Sequence, residues 1–162
     1  MGYVHNTHMA YSVPLQLVTP TVGTWAMAVA ANIWTLNKTA ADNTSVLKIP
    51  LDVPQNSQVN AGAKISSIDI YYINATANLE AVSAKIYKIN LPAAGGVVAA
   101  SEIASGVAGN LLTQAQQKMT ITPTAPFFLT NAEKAFAELT IDAAAGSVIK
   151  IQAIVVNYTL RV

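Results

Sequence analysis

A chain of 162 residues without a cysteine is long enough to bury the core of one domain unaided, and it excludes thiol catalysis, disulfide frameworks and cysteine-ligated zinc. Charged residues are 10% of the chain and leave a net charge of +1, against about 25% charged in an ordinary soluble domain, so no basic patch of the kind nucleic acid requires is present. No segment carries the ~20 uninterrupted apolar residues of a membrane helix, and no basic-then-apolar signal opens the chain, which points to release by lysis or to an already mature form.

Met1 to Pro20 reads as an N-terminal arm, with residues 21–162 as one domain. The arm mixes turn formers and polar groups (Gly2, Asn6, Thr7, Ser12, Pro14, Pro20) with scattered Tyr3, Val4, Tyr11, Val13, Leu15, Leu17 and Val18. Prolines on both sides of Leu15 to Thr19 confine that stretch to an edge strand or an extended crossing. A polar terminus is ordered only when tied down, so the arm is expected on its own domain or on a neighbouring subunit. Thr24 to Thr39 suits helix or strand, and Trp25, Val29, Ile33, Trp34 and Thr35 favour strand. Ala40 to Thr44 is a turn. Ser45 to Ile49 is a short strand that Pro50 and Pro54 restrict to an edge, followed by a polar loop from Gln55 to Gly62.

Ile65 to Ile73 and Leu79 to Leu91 both alternate, which predicts a hairpin across Asn74 to Asn78. Ile68, Ile70 and Tyr72 share one face, with Ser67, Asp69 and Tyr71 on the other. That pairing puts Asp69 within diagonal reach of Lys85. Pro92 to Gln117 is the least patterned part, with a strand expected near Val97 to Ile103 and a helical turn near Leu111 to Gln116. Lys118 to Thr122 is a strand ended by Pro123, and Phe127 to Leu129 is another short one. A second hairpin is expected between Lys134–Ile141 and Ser147–Val162. The last run becomes apolar on both faces from Ala153 to Val156. Such a strand is either central in a sandwich or covered by another copy of the chain. About eight or nine strands separated by turn signals make a single antiparallel β-sandwich.

The chain lacks a concentration of chemistry. His5 and His8 stand three apart in the arm without a third ligand, and a zinc site needs three or four. No nucleophile elbow, phosphate loop or paired carboxylates are present, so no catalytic residue, metal or cofactor is expected. Trp25, Trp34, Tyr71, Tyr72 and Tyr87 are candidates for a sugar-stacking platform, although aromatics in strands serve more often as packing.

The polar arm Met1-Gly2-Tyr3-Val4-His5-Asn6, the charge-poor sandwich and the doubly apolar Ala153-Ile154-Val155-Val156 together resemble the jelly-roll structural proteins of phage and viral particles, of decoration, head-spike or small capsid type. The resemblance implies a non-enzymatic virion subunit acting as a trimer or larger homo-multimer, beside a major capsid protein or a surface glycan; it carries over no functional residue. Charge depletion marks the centres of protein interfaces, which fits this expectation. The expected assembly contacts are Tyr3, Val4, Tyr11, Leu15, Leu17, Ile154, Val156 and Tyr158. The alternatives are a subunit of an extracellular filament or surface layer built by strand exchange, and a carbohydrate-binding module, which requires coplanar exposed aromatics at Trp25, Trp34 and Tyr71.

Overall fold

The computed structural model describes residues 5–39, 44–54, 63–75, 79–91, 96, 98–107, 115–143 and 146–161. Within them lie β1 (Asn6–Ser12), a short 3-10 turn (Leu15–Leu17), β2 (Thr19–Val22), β3 (Trp25–Ala30), β4 (Ile33–Lys38), β5 (Thr44–Pro50), β6 (Ala63–Asn74), β7 (Leu79–Asn90), β8 (Ala99–Val107), β9 (Gln116–Ile121), β10 (Phe127–Phe128), β11 (Glu133–Ala143) and β12 (Ile149–Arg161). They form an antiparallel jelly-roll sandwich. The larger sheet has seven strands: β3, β4, β12 and β6 in order, with β1 sharing the flank of β12 with β4, and β9 and β10 sharing the far flank of β6. The smaller has five, in the order β2, β5, β11, β7, β8.

Period-two burial builds the core between the sheets. From β11 come Ala137, Leu139 and Ile141, and from β12 Ile149, Ile151, Ile154 and Val156, all buried. The phase change inside β12 has a local cause. A bulge between Ile151 and Ala153 inserts one residue and shifts the alternation, so Ile154 and Val156 point inward while Ala153 and Val155 stand half-buried on the outer face. The run that reads as apolar on both sides is thus the centre of a wide sheet.

Both expected hairpins are corrected. β6 belongs to the larger sheet and β7 to the smaller, and the same holds for β12 and β11. These connections are arches that carry the chain across the core. Alternation identifies the buried face of a strand but is identical for a hairpin and an arch, which is why the sequence pattern misassigned the pairing. Asp69 consequently meets Lys118, not Lys85, and Lys85 meets Glu102. β5 is not an edge strand, since it lies between β2 and β11; Pro50 merely closes it. The edge proline is Pro20, in β2.

Residues 6–22 are woven into both sheets. β1 pairs along β12 from Asn6–Arg161 to Ser12–Val155, the 3-10 turn crosses the end of the sandwich, and β2 pairs with β5. Val13, Leu15 and Val18 are buried in the core. Thr24 to Thr39 proves to be two strands, β3 and β4, joined by Ala31 and Asn32 at φ +49° and +63°. Most of the helical turn expected at residues 111–116 falls outside the described residues, and Gln116 already belongs to β9.

Candidate functional site

Four of the six expected assembly contacts among the described residues are buried in the protein's own core. These are Leu15 on the 3-10 turn and Ile154, Val156 and Tyr158, which the bulge in β12 turns toward the opposite sheet. Tyr11 is half-buried beside that core and Leu17 is exposed. Tyr3 and Val4 fall outside the described residues.

The aromatic platform is also corrected. Trp25 and Trp34 share the strand parity of buried Leu36, on the face that points into the sandwich, whereas Tyr71 alternates with buried Tyr72 and points outward. Tyr87 lies on the outer face of the smaller sheet, stacked on Phe136 at 5.0 Å between centroids, with the Lys48 ammonium 4.5 Å above the Phe136 ring. These rings cannot form one surface.

What the fold does assemble is a polar strip along the outer face of the larger sheet. Cross-strand registers place its residues in rows. Asn37, Lys150, Ile73 and Gln116 form the first. Ala153, Tyr71 and Lys118 form the second, then Ser12, Val155, Asp69 and Thr120. Ala10, Asn157 and Ser67 follow, and His8, Thr159, Lys64 and Phe128 close the strip. From Ile73 to Lys64 along β6 it runs roughly 30 Å at the rise of a strand.

Asp69 is the centre. It is only 7% exposed although it faces outward, and a carboxylate so enclosed must be paired and hydrogen-bonded. Thr120 Oγ1 donates to its Oδ1 at 2.6 Å, Asn157 Nδ2 donates to its Oδ2 at 3.1 Å, and the Lys118 ammonium sits 3.0 Å from the same Oδ2. Burial works to raise its pKa, but the hydrogen bonds from Thr120, Lys118 and Asn157, with the Lys118 charge, outweigh it. The carboxyl is held below the usual range. Lys118 is pushed up in turn, chiefly by its hydrogen bond to Asp69. Asn157 also reaches Ser67 Oγ at 3.1 Å, and Ser66 Oγ donates to the Asn157 carbonyl at 3.0 Å.

Aromatic rings mark both ends of this arrangement. Tyr71 lies under the Lys118 ammonium at 5.7 Å and Phe128 under that of Lys64 at 5.4 Å. At the β4 end, Asn37 Oδ1 and, on the bulge of β12, Gln152 Oε1 are buried acceptors without a hydrogen-bond partner among the described residues.

The outer face of the smaller sheet differs. Its Lys48 pairs with Glu138, and Lys85 with Glu102 at 2.9 Å, while Lys134 and Asp142 stand on the same face without an ion-pair partner among the described residues. Sequence reasoning missed the Asp69 cluster because its members come from β6, β9 and β12, with Thr120 and Asn157 lying 51 and 88 residues from the carboxylate. Alternation names the outward residues of each strand, but not which strands are neighbours.

No family model matches the chain, and no curated protein matches it. Solved structures with a related strand arrangement include a low-affinity xylan-binding module from Roseburia intestinalis, at 11% identity and TM-score 0.47, covering 93% of this chain and 94% of that one. A family 32 carbohydrate-binding module from C. perfringens, in complex with galactose, shows 16% identity and TM-score 0.46 over 92% and 99% of the two chains. A family 29 module from Piromyces equi shows 9% and 0.40 over 95% and 90%. Likeness at this level carries no information about what the present chain binds.

Proposed function

We propose that this chain is a non-catalytic glycan-binding module whose site is the outer face of the larger sheet. The observation that carries the reading is the Asp69–Lys118–Thr120–Asn157–Ser67 cluster beside the Tyr71 ring. Sugar hydroxyls both donate and accept, so a surface that recognises them needs fixed groups of both kinds next to an apolar ring edge. Three donors occupy Asp69, and an ionised carboxylate offers about four acceptor positions, so one remains for a ligand hydroxyl. Lys118 keeps further N–H donors, and the Ser67 hydroxyl can still donate. Ala10, Ser12 and Ala153 leave the floor low enough for a flat ring to approach.

Affinity electrophoresis through gels containing neutral or acidic polysaccharides tests this. The chain is expected to be retarded by at least one of them. Tyr71→Ala and Asn157→Ala should each weaken binding by about fivefold or more, the equivalent of one hydrogen bond or ring contact, with thermal melts confirming that the variants remain folded. Free migration through every polysaccharide overturns the reading, as does retardation unchanged in both folded variants.

A second reading, a homo-multimeric subunit of a virus or phage particle, is favoured by a different feature. The tip of the β3–β4 hairpin exposes Val29, Ile33 and Trp34 at 53, 51 and 55%. Val29 and Trp34 are cross-strand partners on one side, and Ile33 lies on the other. Large apolar side chains on both sides of a hairpin tip suit contact with another protein surface, here a second copy.

A further inference from the structure

We infer that the ligand of the outer strip is an anionic polysaccharide, one carrying carboxylate or sulfate groups among its hydroxyls; this rests on the glycan-binding reading above. The observation is an asymmetry of charge between the two faces. On the outer face of the smaller sheet Lys48, Lys85 and Lys134 are matched in number by Glu138, Glu102 and Asp142, the first two as ion pairs. On the larger sheet three lysines, Lys150, Lys118 and Lys64, share the strip with one described carboxylate, Asp69. Asp69 is committed to Lys118. Neither Lys150 nor Lys64 has a carboxylate partner among the described residues, and Lys64 instead lies over the Phe128 ring. In a chain with so few ions, two unmatched cations on one face stand out. His8 adds a further basic group beside Thr159, its Nδ1 lying 3.4 Å from the Thr159 hydroxyl.

Spacing selects the class of polyanion. Three lysines are spread over roughly 30 Å of strand, whereas a nucleic-acid strand carries a phosphate about every 3.4 Å. Most phosphates laid along this strip would find no cation. Between the lysines lie hydroxyl and amide groups from Ser12, Ser67, Thr120, Asn157 and Thr159, which match sugar hydroxyls. A polymer with charge diluted among hydroxyls meets both conditions.

The test compares polygalacturonate, its carboxyl-reduced neutral form, and single-stranded DNA in one affinity-electrophoresis and titration series. The folded chain should bind polygalacturonate at least tenfold more tightly than the reduced polymer, and binding should weaken as salt rises, since exposed charges are screened. The double variant Lys64→Gln/Lys150→Gln should lose roughly three- to tenfold in affinity for polygalacturonate and little for the reduced form. Lys85→Gln, on the opposite sheet, serves as the control and should bind as the parent does. Equal binding of charged and reduced polymers overturns the inference and leaves the glycan reading standing. Binding of the DNA as tight as that of the uronate overturns it in favour of an unselective polyanion surface. Absence of binding to either polysaccharide overturns the inference, and the glycan reading falls with it only where the chain also migrates freely through every other polysaccharide.

Discussion

Asp69 links stability to the proposed binding face. Its folded pKa lies below the ordinary carboxylate value, so its contribution is present above about pH 4 and is lost as pH falls through the lower folded value. Glu133 acts in the same direction at the end of the sandwich, held down first by Lys88 at 2.7 Å and then by the Thr130 backbone N–H. The thermal midpoint of the parent should therefore fall between pH 5 and pH 2.5, and that of Asp69→Asn should fall less, because the variant has no charge to lose. Superimposable acid profiles for the two would contradict the assignment. A second residue-scale prediction concerns Ala31, which adopts φ +49° without the freedom of glycine. Left-handed backbone costs a residue with a Cβ roughly 1–2 kcal/mol, so Ala31→Gly should stabilise the chain by about 0.5–1 kcal/mol in urea titrations despite its greater unfolded-state entropy. The sequence concealed this turn, since Ala-Asn is not one of the pairs that announce a two-residue hairpin.

Among the elements, local character was legible and partnership was not. The alternation of Ile65 to Ile73 and of Lys134 to Ile141 correctly separates inward from outward residues, yet it says nothing about whether the chain turns back within a sheet or crosses the core. The Ala153–Val156 run left open a central strand or a face covered by another copy; the fold makes it central, and one bulge residue, by shifting a period of two, produces the run that a linear reading takes for a second buried face. Residues 1–20 are the instructive case. Their polar composition suggested an arm lying on its own domain or on a neighbouring subunit, and in the fold Val13, Leu15 and Val18 are core residues and Asn6–Ser12 pairs along β12 of the same chain. Burying each such side chain contributes about 1.5–3 kcal/mol, so the three together rival a total stability of about 5–15 kcal/mol. Deleting residues 1–18 should leave a chain without a cooperative thermal transition by circular dichroism, even when dilute. A truncated chain that melts cooperatively near the parent midpoint would show that this segment is dispensable to the sandwich. The same deletion removes His8, Ala10 and Ser12 from the strip, so loss of glycan binding in it would be uninformative about the site itself.

For the whole molecule, low charge has two outlets that the sequence could not distinguish: a neutral coat, or surfaces that copies cover for one another. The fold places the doubly apolar terminal strand inside a single chain, which removes the main argument for obligate assembly, and leaves the hairpin tip as one exposed apolar feature beside others such as Val98 and Val107 around β8. Three side chains at a tip bury far less than the roughly 800 Å² per partner of a standard stable interface. Any association through them is therefore weak alone and gains strength only where many copies are held together. Sedimentation velocity should show the parent chain moving from monomer toward larger species as its concentration rises. Trp34→Glu should hold it at monomer while changing stability by no more than about 0.5 kcal/mol, as expected of an exposed position. Polysaccharide binding by Trp34→Glu should match the parent, because Trp34 lies on the strand face opposite to Tyr71 and Asp69. A parent chain that stays monomeric at high concentration, or an association indifferent to Trp34→Glu, would remove the hairpin from the case for a particle subunit and leave the strip as the feature the fold presents for recognition.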